Sequence, residues 1–285
     1  MNIFITGCNS YIGKYLANSF VEQGNNVIGT SRINPKIRNR NFKFIKHDLS
    51  VSPILKIKKK IDFFIHIAGK RQSKTSKVRD YISSNIIVSY NLQKMIKKHK
   101  PKLVIYTSSR CIYGDVKDKI LNEKANILNP DVYGQTKFLP EKIFEEVANT
   151  ISLRMSTVLG KGAPLTETGG WIASTYRKLL LGQTVEVVDT KINNFIHVSD
   201  IFNIINVFFK KKNFVTDQLN ISCSKVSTSK KIVYLMKNLL NSKSKIIQKL
   251  NKQHFYTISN HKLKKYYLTL SAEEAVSKFV EDLKK

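Results

Sequence analysis

Met1-Asn2-Ile3-Phe4-Ile5-Thr6-Gly7-Cys8-Asn9-Ser10-Tyr11-Ile12-Gly13 opens the chain, and its reading decides the fold. Asn2 to Thr6 is a short apolar run that reads as a β-strand and leads into a glycine-containing turn. From Ile12 onward the apolar residues Ile12, Leu16, Phe20 and Val21 recur at helical spacing, and Gly24 stops the helix. Gly7 permits the tight turn and Gly13 permits close packing of helix on strand. The helix amino terminus offers free amides and the positive end of its dipole to an anion. A strand, turn and helix of this kind is where a dinucleotide fingerprint belongs, so Gly7, Asn9, Ser10, Tyr11, Ile12 and Gly13 are candidate cofactor contacts. The usual central glycine is Ser10 here, a small residue whose hydroxyl can bond a phosphate.

Working outward, Val27 to Thr30 reads as a second strand, Phe42 to Ile45 as a third and Asp62 to Ile67 as a fourth. A helix through Ile86 to Ile96 precedes the strand Leu103 to Ser108. Another helix follows Tyr133, and then comes the strand Ile151 to Met155. Strands alternating with helices imply βαβ units and a parallel sheet. After about residue 158 the pattern loosens. Gly160, Gly162, Pro164, Gly169 and Gly170 mark a loop region. A helix from Ile172 to Leu181 and a short strand Val185 to Val188 follow, and the remainder reads as mostly helical, as in Ile232 to Leu240 and Ala272 to Leu283. The expectation is an α/β protein: a Rossmann doubly wound parallel sheet over residues 1–158, with a returning segment about 190–212, and a smaller C-terminal α/β substrate domain over 159–285. That second domain is expected to act as a lid over the carboxyl ends of the strands, where open α/β sheets bind ligands.

The second strand ends Gly29-Thr30-Ser31-Arg32. A protein that binds NAD usually has an acid near there for the ribose 2′-hydroxyl, and none is present. Ser31 and Arg32 suit a 2′-phosphate, by hydroxyl bonding and a charge-assisted fork, so NADP(H) is the favoured cofactor, with NAD(H) the alternative.

The chain has 285 residues and is 42% hydrophobic, enough for one large domain or a large and a small one. No apolar run is long enough to span a bilayer, and the opening residues lack the features of a signal peptide, so a soluble cytoplasmic protein without membrane attachment is expected. Cys8, Cys111 and Cys223 show neither paired spacing nor a zinc pattern, so neither a disulfide framework nor a metal is expected. The formal charge is +29, carried largely by lysine in short runs such as Lys58-Lys59-Lys60, Lys97-Lys98-His99-Lys100 and Lys210-Lys211-Lys212. Attraction to a polyanion is one reading. The lysines are scattered over many elements of a chain rich in Lys, Asn, Ile and Tyr throughout, so compositional drift is the preferred reading and a nucleic-acid partner is not expected.

Six further segments, in order, complete the pattern: Asp48-Leu49, Ile65-His66-Ile67-Ala68-Gly69, Asn85, Ser108-Ser109-Arg110-Cys111-Ile112-Tyr113-Gly114, Tyr133-Gly134-Gln135-Thr136-Lys137 and Phe195-Ile196-His197-Val198-Ser199-Asp200. With the fingerprint turn they resemble the extended short-chain dehydrogenases, the family of nucleotide-sugar epimerases, dehydratases and reductases, along almost the whole chain. The resemblance implies that Asp48 and Leu49 contact adenine, that Ile67, Ala68 and Gly69 lie along the cofactor, and that Asn85 braces the backbone. It further implies that Ser109 is the active-site serine, that Tyr133 and Lys137 are the family's YxxxK, and that the protein dimerises through two helices of each subunit, one carrying the Tyr and Lys.

The residues make chemical sense on their own terms. Tyr133 and Lys137, four apart, share one helix face. A phenol ordinarily titrates near 10, about three units above neutral pH, and a nearby ammonium draws it toward a useful acid–base range. Lys137 also suits a contact to the nicotinamide ribose. Ser109, at the carboxyl end of a strand, can hydrogen-bond a substrate oxygen while Tyr133 protonates the developing alkoxide.

Within the family, 4,6-dehydratases carry an Asp-Glu pair after the serine. Arg110-Cys111 stands there instead, which argues against dehydration and makes both residues candidates to line the substrate pocket. Cys111 falls where GDP-fucose synthases have a cysteine base, but the stretch Ala163 to Trp171 holds no partner histidine. Many nucleotide-sugar members have an arginine before the position of Phe195; Asn193-Asn194 stands here, leaving Lys161, Arg177 and Lys178 as candidate diphosphate contacts. The main expectation is an NADPH-dependent reductase of a nucleotide-linked keto-sugar, of the 4-keto-6-deoxysugar type. The alternatives are a nucleotide-sugar 4-epimerase using the same Ser109, Tyr133 and Lys137, and a Rossmann-scaffold protein that binds RNA or another polyanion.

Overall fold

The computed structural model describes residues 1–54, 56–73, 75–116, 118–163, 165, 170–188, 192–249 and 256–284. Seven strands form the central sheet: β1 (Asn2–Thr6), β2 (Asn26–Ser31), β3 (Phe42–Lys46), β4 (Phe63–His66), β5 (Leu103–Ser109), β6 (Thr150–Met155) and β7 (Asp217–Ile221). Their spatial order is β7-β6-β5-β4-β1-β2-β3. The chain therefore winds outward one way from β1 to β3, then reverses across β1 to β4, which creates the crevice at the strands' carboxyl ends where such sheets take ligands. The described ladders of β1 with β2 and β4, β2 with β3 and β4 with β5 are all parallel, with Ile3 opposite Val27 and Phe63. Parallel strands covered on both faces read as near-continuous apolar runs. Accordingly β4 and β5 are buried along their whole length.

The expected α/β doubly wound architecture is what the chain adopts. Two compact units share it. The first comprises Met1–Val116, Asn126–Arg154 and Ile204–Leu219; the second comprises Lys117–Ala125, Met155–Asn203 and Asn220–Lys285. The sequence placed the boundary near 158 and the returning segment at about 190–212. The chain instead re-enters the first unit at Ile204. Phe209, on that returning helix, explains why: its ring stacks on Phe63 at 3.9 Å between centroids and on Phe20 at 5.5 Å.

In the first unit, α1 (Tyr11–Glu22) starts at Ser10, whose hydroxyl caps the amide of Gly13, and buries Leu16, Ala17, Phe20 and Val21 on one face. A helical run follows β4: Val78–Tyr81, a π-helical segment Ile82–Ile87, and α2 (Val88–His99). The π segment is a departure from the plain helix expected there; such segments concentrate at functional positions. The next helix, α3 (Val132–Glu145), follows the capping residue Asp131. The core between sheet and helices gathers Phe4, Phe64, Leu92, Met95, Tyr106 and Phe144.

The second unit has its own core, in which Ile172, Tyr176 and Leu179 of α4 (Gly170–Leu180) meet Ile232 and Met236 of Ser229–Leu239 and Val276 and Phe279 of Ala272–Lys284. Short ladders join it: Val185–Val188 with Ile246–Lys249, Thr157–Leu159 with Phe195–His197, and Ile120–Leu121 with Thr257–Ile258. The stretch after residue 190 is thus less helical than its sequence suggested. Pro164 and Gly169 of the expected loop lie outside the described residues.

Candidate active site

At the amino end of α1 the first unit holds a cavity of about 290 Å³. Gly7, Asn9 and Ser10 form its first wall, Ser31 and Arg32 at the end of β2 its second, Asp48 and Leu49 its third, and Ile67, Ala68 and Gly69 beyond β4 its fourth. These ten of the expected cofactor contacts lie together at the carboxyl ends of β1, β2, β3 and β4, whereas Tyr11, Ile12, Gly13, Tyr133 and Lys137 are not among the lining residues. The turn packs so closely on the protein's own backbone that glycine is needed at two positions. Gly7 has φ +66°, and a Cβ there would lie 2.7 Å from the amide nitrogen of Ala68. A Cβ on Gly13 would collide with the Gly7 carbonyl. The residues that line the cavity fit a dinucleotide.

Two hydroxyls expected to reach phosphates are engaged within the protein. Ser10 Oγ donates to the Gly7 carbonyl at 2.8 Å and accepts from the Gly13 amide at 3.1 Å. Ser31 Oγ donates to the Ile33 carbonyl. Each has given away its single proton, so neither donates to a phosphate in this arrangement. Arg32 remains on the cavity wall. Asp48 accepts the amide and hydroxyl of Ser50 at 2.9 and 2.7 Å, and these bonds hold its carboxyl below the usual range. Burial pushes the Tyr11 phenol well above its ordinary value.

Thr6 fixes the segment along which a cofactor would lie. Its Oγ1 accepts the amides of Ile67 and Ala68, both at 3.1 Å, so its own proton goes to His66 Nδ1 at 2.7 Å. Ser89 Oγ donates to the Asn85 carbonyl at 2.6 Å and so must accept from His66 Nε2 at 3.3 Å. The network assigns His66 as the neutral Nε2–H tautomer. Burial and the nearby Lys137 ammonium agree, lowering its pKa to about 3. Asn85, in the π segment, accepts the Lys70 amide at 2.7 Å and donates to Thr136 Oγ1 at 3.0 Å, which ties the strand-end segment to α3.

Ser109 ends β5 and begins the 3₁₀ turn Arg110–Tyr113, its hydroxyl accepting the Cys111 amide at 3.2 Å. Tyr133 lies in the first turn of α3, behind the Asp131 cap that accepts the Gly134 amide at 2.7 Å. A Cβ on Gly134 would meet the Cys111 carbonyl, so only glycine lets α3 approach the turn this closely. That approach brings the Tyr133 phenol beside the Ser109 side chain. Gly134 stood in the quoted motif without a role; its place in the first turn of a helix was the available signal. Burial pushes the Tyr133 phenol above its ordinary value, and Cys111 adds to this, while the Ser109 side chain opposes it. The drop expected from Lys137 is not what this geometry gives.

Lys137, one turn further on, is buried, with Nζ 4.8 Å from the centroid of the Tyr106 ring. Burial lowers its pKa to about 8, against the pull of Glu141. Glu141 is itself wholly buried and forms a two-pronged pair with Arg154 of β6, at 2.9 and 3.2 Å. Arg154 also donates to the Tyr113 hydroxyl at 3.2 Å. None of Glu141, Arg154 and Tyr113 was singled out from sequence. Burial raises the thiol of Cys111, which lies 3.9 Å from Gln72 Oε1. Ser109, Arg110, Cys111, Tyr133 and Lys137 belong to the first unit, whereas Lys161 and Arg177 belong to the second. Among the described residues no group of side chains could hold a metal, and no helix is long and apolar enough to cross a membrane.

The model of the NAD dependent epimerase/dehydratase family matches residues 3–222. The chain belongs to that family. The UDP-glucose 4-epimerase of Yersinia enterocolitica is 31% identical over 165 residues, which cover 51% of this chain and 48% of that protein. The chain spans about half the length of the curated relatives it matches, 48, 57 and 55% for three of them. Among solved structures, the UDP-glucose 4-epimerase of Thermotoga maritima with UDP-glucose aligns over 100% of this chain and 99% of its own, with a TM-score of 0.85 and 20% identity. The UDP-glucuronic acid 4-epimerase of Bacillus cereus in complex with NAD aligns over the same shares, with a TM-score of 0.84 and 19% identity. These likenesses establish the epimerase/dehydratase fold.

Proposed function

We propose that this chain is a nucleotide-sugar 4-epimerase, an extended short-chain dehydrogenase that works with a bound nicotinamide dinucleotide. The observation that carries the proposal is Tyr133 beside Ser109, one helical turn from a buried lysine, in a family whose named relatives include UDP-glucose 4-epimerases. This replaces reductase as the first reading. The dinucleotide would be held by Gly7, Asn9, Ser10, Tyr11, Ile12 and Gly13 at the turn, Ser31 and Arg32, Asp48 and Leu49, Ile67 to Gly69, and Lys137. When bound it supplies a reversible two-electron oxidant. Ser109 Oγ donates to the reacting sugar oxygen and fixes its position. Tyr133 Oη moves the proton of that oxygen, taking it as the hydroxyl is oxidised and returning it as the carbonyl is reduced. Lys137, charged below about pH 8, holds a ribose hydroxyl. Arg110 and Cys111 line the sugar pocket. The exposed Ile82, Ile87, Tyr90 and Leu139 are the apolar side chains a homodimer would cover on the helices around Asn85 and Tyr133.

The experiment is to incubate the purified chain with UDP-galactose, UDP-N-acetylglucosamine and UDP-glucuronic acid, each without added reductant, and follow the 4-epimers by NMR. Interconversion of one pair without net cofactor consumption supports the proposal; none with any of the three overturns it for UDP-sugars.

A second reading is favoured by one observation. No acid ends β2, and Arg32 faces the cavity there, which suits NADPH and hence a reductase of a nucleotide-linked keto-sugar. The NAD in the Bacillus cereus structure and the engaged Ser31 hydroxyl weigh the other way. Stoichiometric consumption of NADPH with a 4-keto-6-deoxysugar nucleotide, in a chain that interconverts no epimers, would establish that reading instead.

A further inference from the structure

The lysine run Lys58-Lys59-Lys60 plays no part in the dinucleotide crevice, yet two of its members border a second cavity, of about 590 Å³. This cavity lies wholly in the first unit, at the other end of the sheet. β2 and β3 are parallel, so Asn26–Ile28 and Arg40–Lys43 are where they begin, while Thr30–Ile33 and His47–Ser50, which line the crevice, are where they finish. At about 3.3 Å per residue, two residues of each strand, from Ile28 to Thr30 and from Ile45 to His47, put roughly 7 Å along the strand between the nearest lining positions of the two cavities.

One wall is a single face of the strand pair. Lys43 and Ile45 alternate onto it from β3, and Ile28 lies directly opposite Lys43. The facing wall is the loop that carries Ile54, Lys56, Ile57, Lys58 and Lys59. The floor is apolar: Ile45, Ile54 and Ile57 are half-buried and pack against the core of the unit. The rim is basic: Arg40, Lys43, Lys56, Lys58 and Lys59 are exposed. Among the described residues no acidic side chain lines the cavity and none of these five cations forms an ion pair. Compositional drift accounts for lysines scattered over a surface. It does not account for five cations converging on one concave apolar floor with no counter-charge, an arrangement that a bound anion relieves.

We propose that this cavity is a second ligand site, for a small molecule that carries a phosphate group on an apolar body. Its volume falls within the roughly 300–1,000 Å³ of small-molecule sites, and an apolar floor with a few converging polar groups is their usual make-up. A polynucleotide is the poorer fit, because no aromatic side chain lines the cavity to stack a base. The site is separate from the proposed epimerase chemistry and does not depend on it.

The probe is 1-naphthyl phosphate, titrated by fluorescence anisotropy into the full chain with saturating NAD⁺, in about 150 mM salt, where exposed charges beyond about 8 Å are screened. Saturable binding is expected, displaced by inorganic pyrophosphate. The pair Lys43→Glu and Lys58→Glu should weaken it at least about tenfold, while Lys97→Glu and Lys98→Glu, an equal change in net charge on exposed helical positions, should leave it within about threefold. Should the first pair melt below the parent, Lys43→Gln with Lys58→Gln reads the same site and should weaken binding in the same direction. The proposal is overturned by no saturable binding in the parent, by equal losses in the two Glu pairs, or by displacement with a single-stranded RNA oligomer but not with pyrophosphate.

Discussion

Replacing Lys137 by methionine should make the fold more stable while it removes function. Lys137 is 6% exposed, and burial takes its pKa from 10.5 to about 8. That gap corresponds to about 3 kcal/mol at about 1.4 kcal/mol per tenfold. The folded value lies below the unfolded one, so between about pH 8 and 10.5 the unfolded chain binds the extra proton and stability rises with pH. Below about pH 8 both forms are charged and the full penalty applies; above 10.5 it is gone. The lysine recovers part of this through the Tyr106 ring 4.8 Å away, a contact that contributes on the order of 1 kcal/mol. Methionine keeps the length of the side chain and packs its sulfur against the same ring. Lys137→Met should therefore stabilise the dinucleotide-free protein at pH 7 by about 2 kcal/mol, with a difference that shrinks as pH climbs from 8 to 10.5. Urea denaturation of parent and variant at stepped pH measures it. A variant less stable than the parent at pH 7, or a difference that stays constant to pH 10, would refute the reasoning, because either outcome means the buried ammonium costs nothing. The same penalty explains what a ligand gains here: any group that accepts a hydrogen bond from Nζ relieves a charge the empty fold holds at a cost.

Three other outcomes are expected. Tyr133→Phe should cut turnover by about 100- to 10,000-fold, the range for a positioned general acid–base group, while dinucleotide affinity by fluorescence titration stays near the parent's; parental turnover would remove Tyr133 from the chemistry. Arg32→Glu should weaken NADPH far more than NADH, since only the former brings a 2′-phosphate to that wall, and equal losses in a paired titration would sink the role given to Arg32. Glu141→Gln leaves Arg154, itself only 5% exposed, with its guanidinium charge uncompensated. A loss of about 3 kcal/mol in urea midpoint analysis is expected, and a near-neutral effect would show that Tyr113 alone suffices for Arg154.

The two halves of the candidate site differ in how far sequence could reveal them, and the difference is one of range. The glycine turn and the Tyr133–Lys137 spacing are local: strand periodicity, a helix start and a four-residue interval are written in consecutive residues. The roles within that frame depend on how the fold disposes each residue's partners. Ser31 suits a phosphate by type, but its proton goes to the Ile33 carbonyl, a matter of turn geometry rather than composition. Lys137 was expected to lower the Tyr133 phenol because the two share a helix face. The fold instead buries both, so desolvation leads in each, and the ammonium's field falls on His66, 71 residues earlier in the chain. Glu141 shows the same limit from the other side. Read in isolation it is one more acid on an amphipathic helix, and only the pairing of α3 with β6, thirteen residues on, turns it into the buried partner of Arg154. The missed strand β7 has a similar origin. Asp217-Gln218-Leu219-Asn220-Ile221 holds three polar residues against two apolar ones, unlike the near-continuous apolar runs of β4 and β5. Asn220 is tolerated there because its amide groups are satisfied by Glu123 and the Leu121 carbonyl, about a hundred residues away in the chain. Local pattern therefore identifies which residues are equipped for the chemistry, while the charge state in which each one works is set by contacts that only the folded chain supplies.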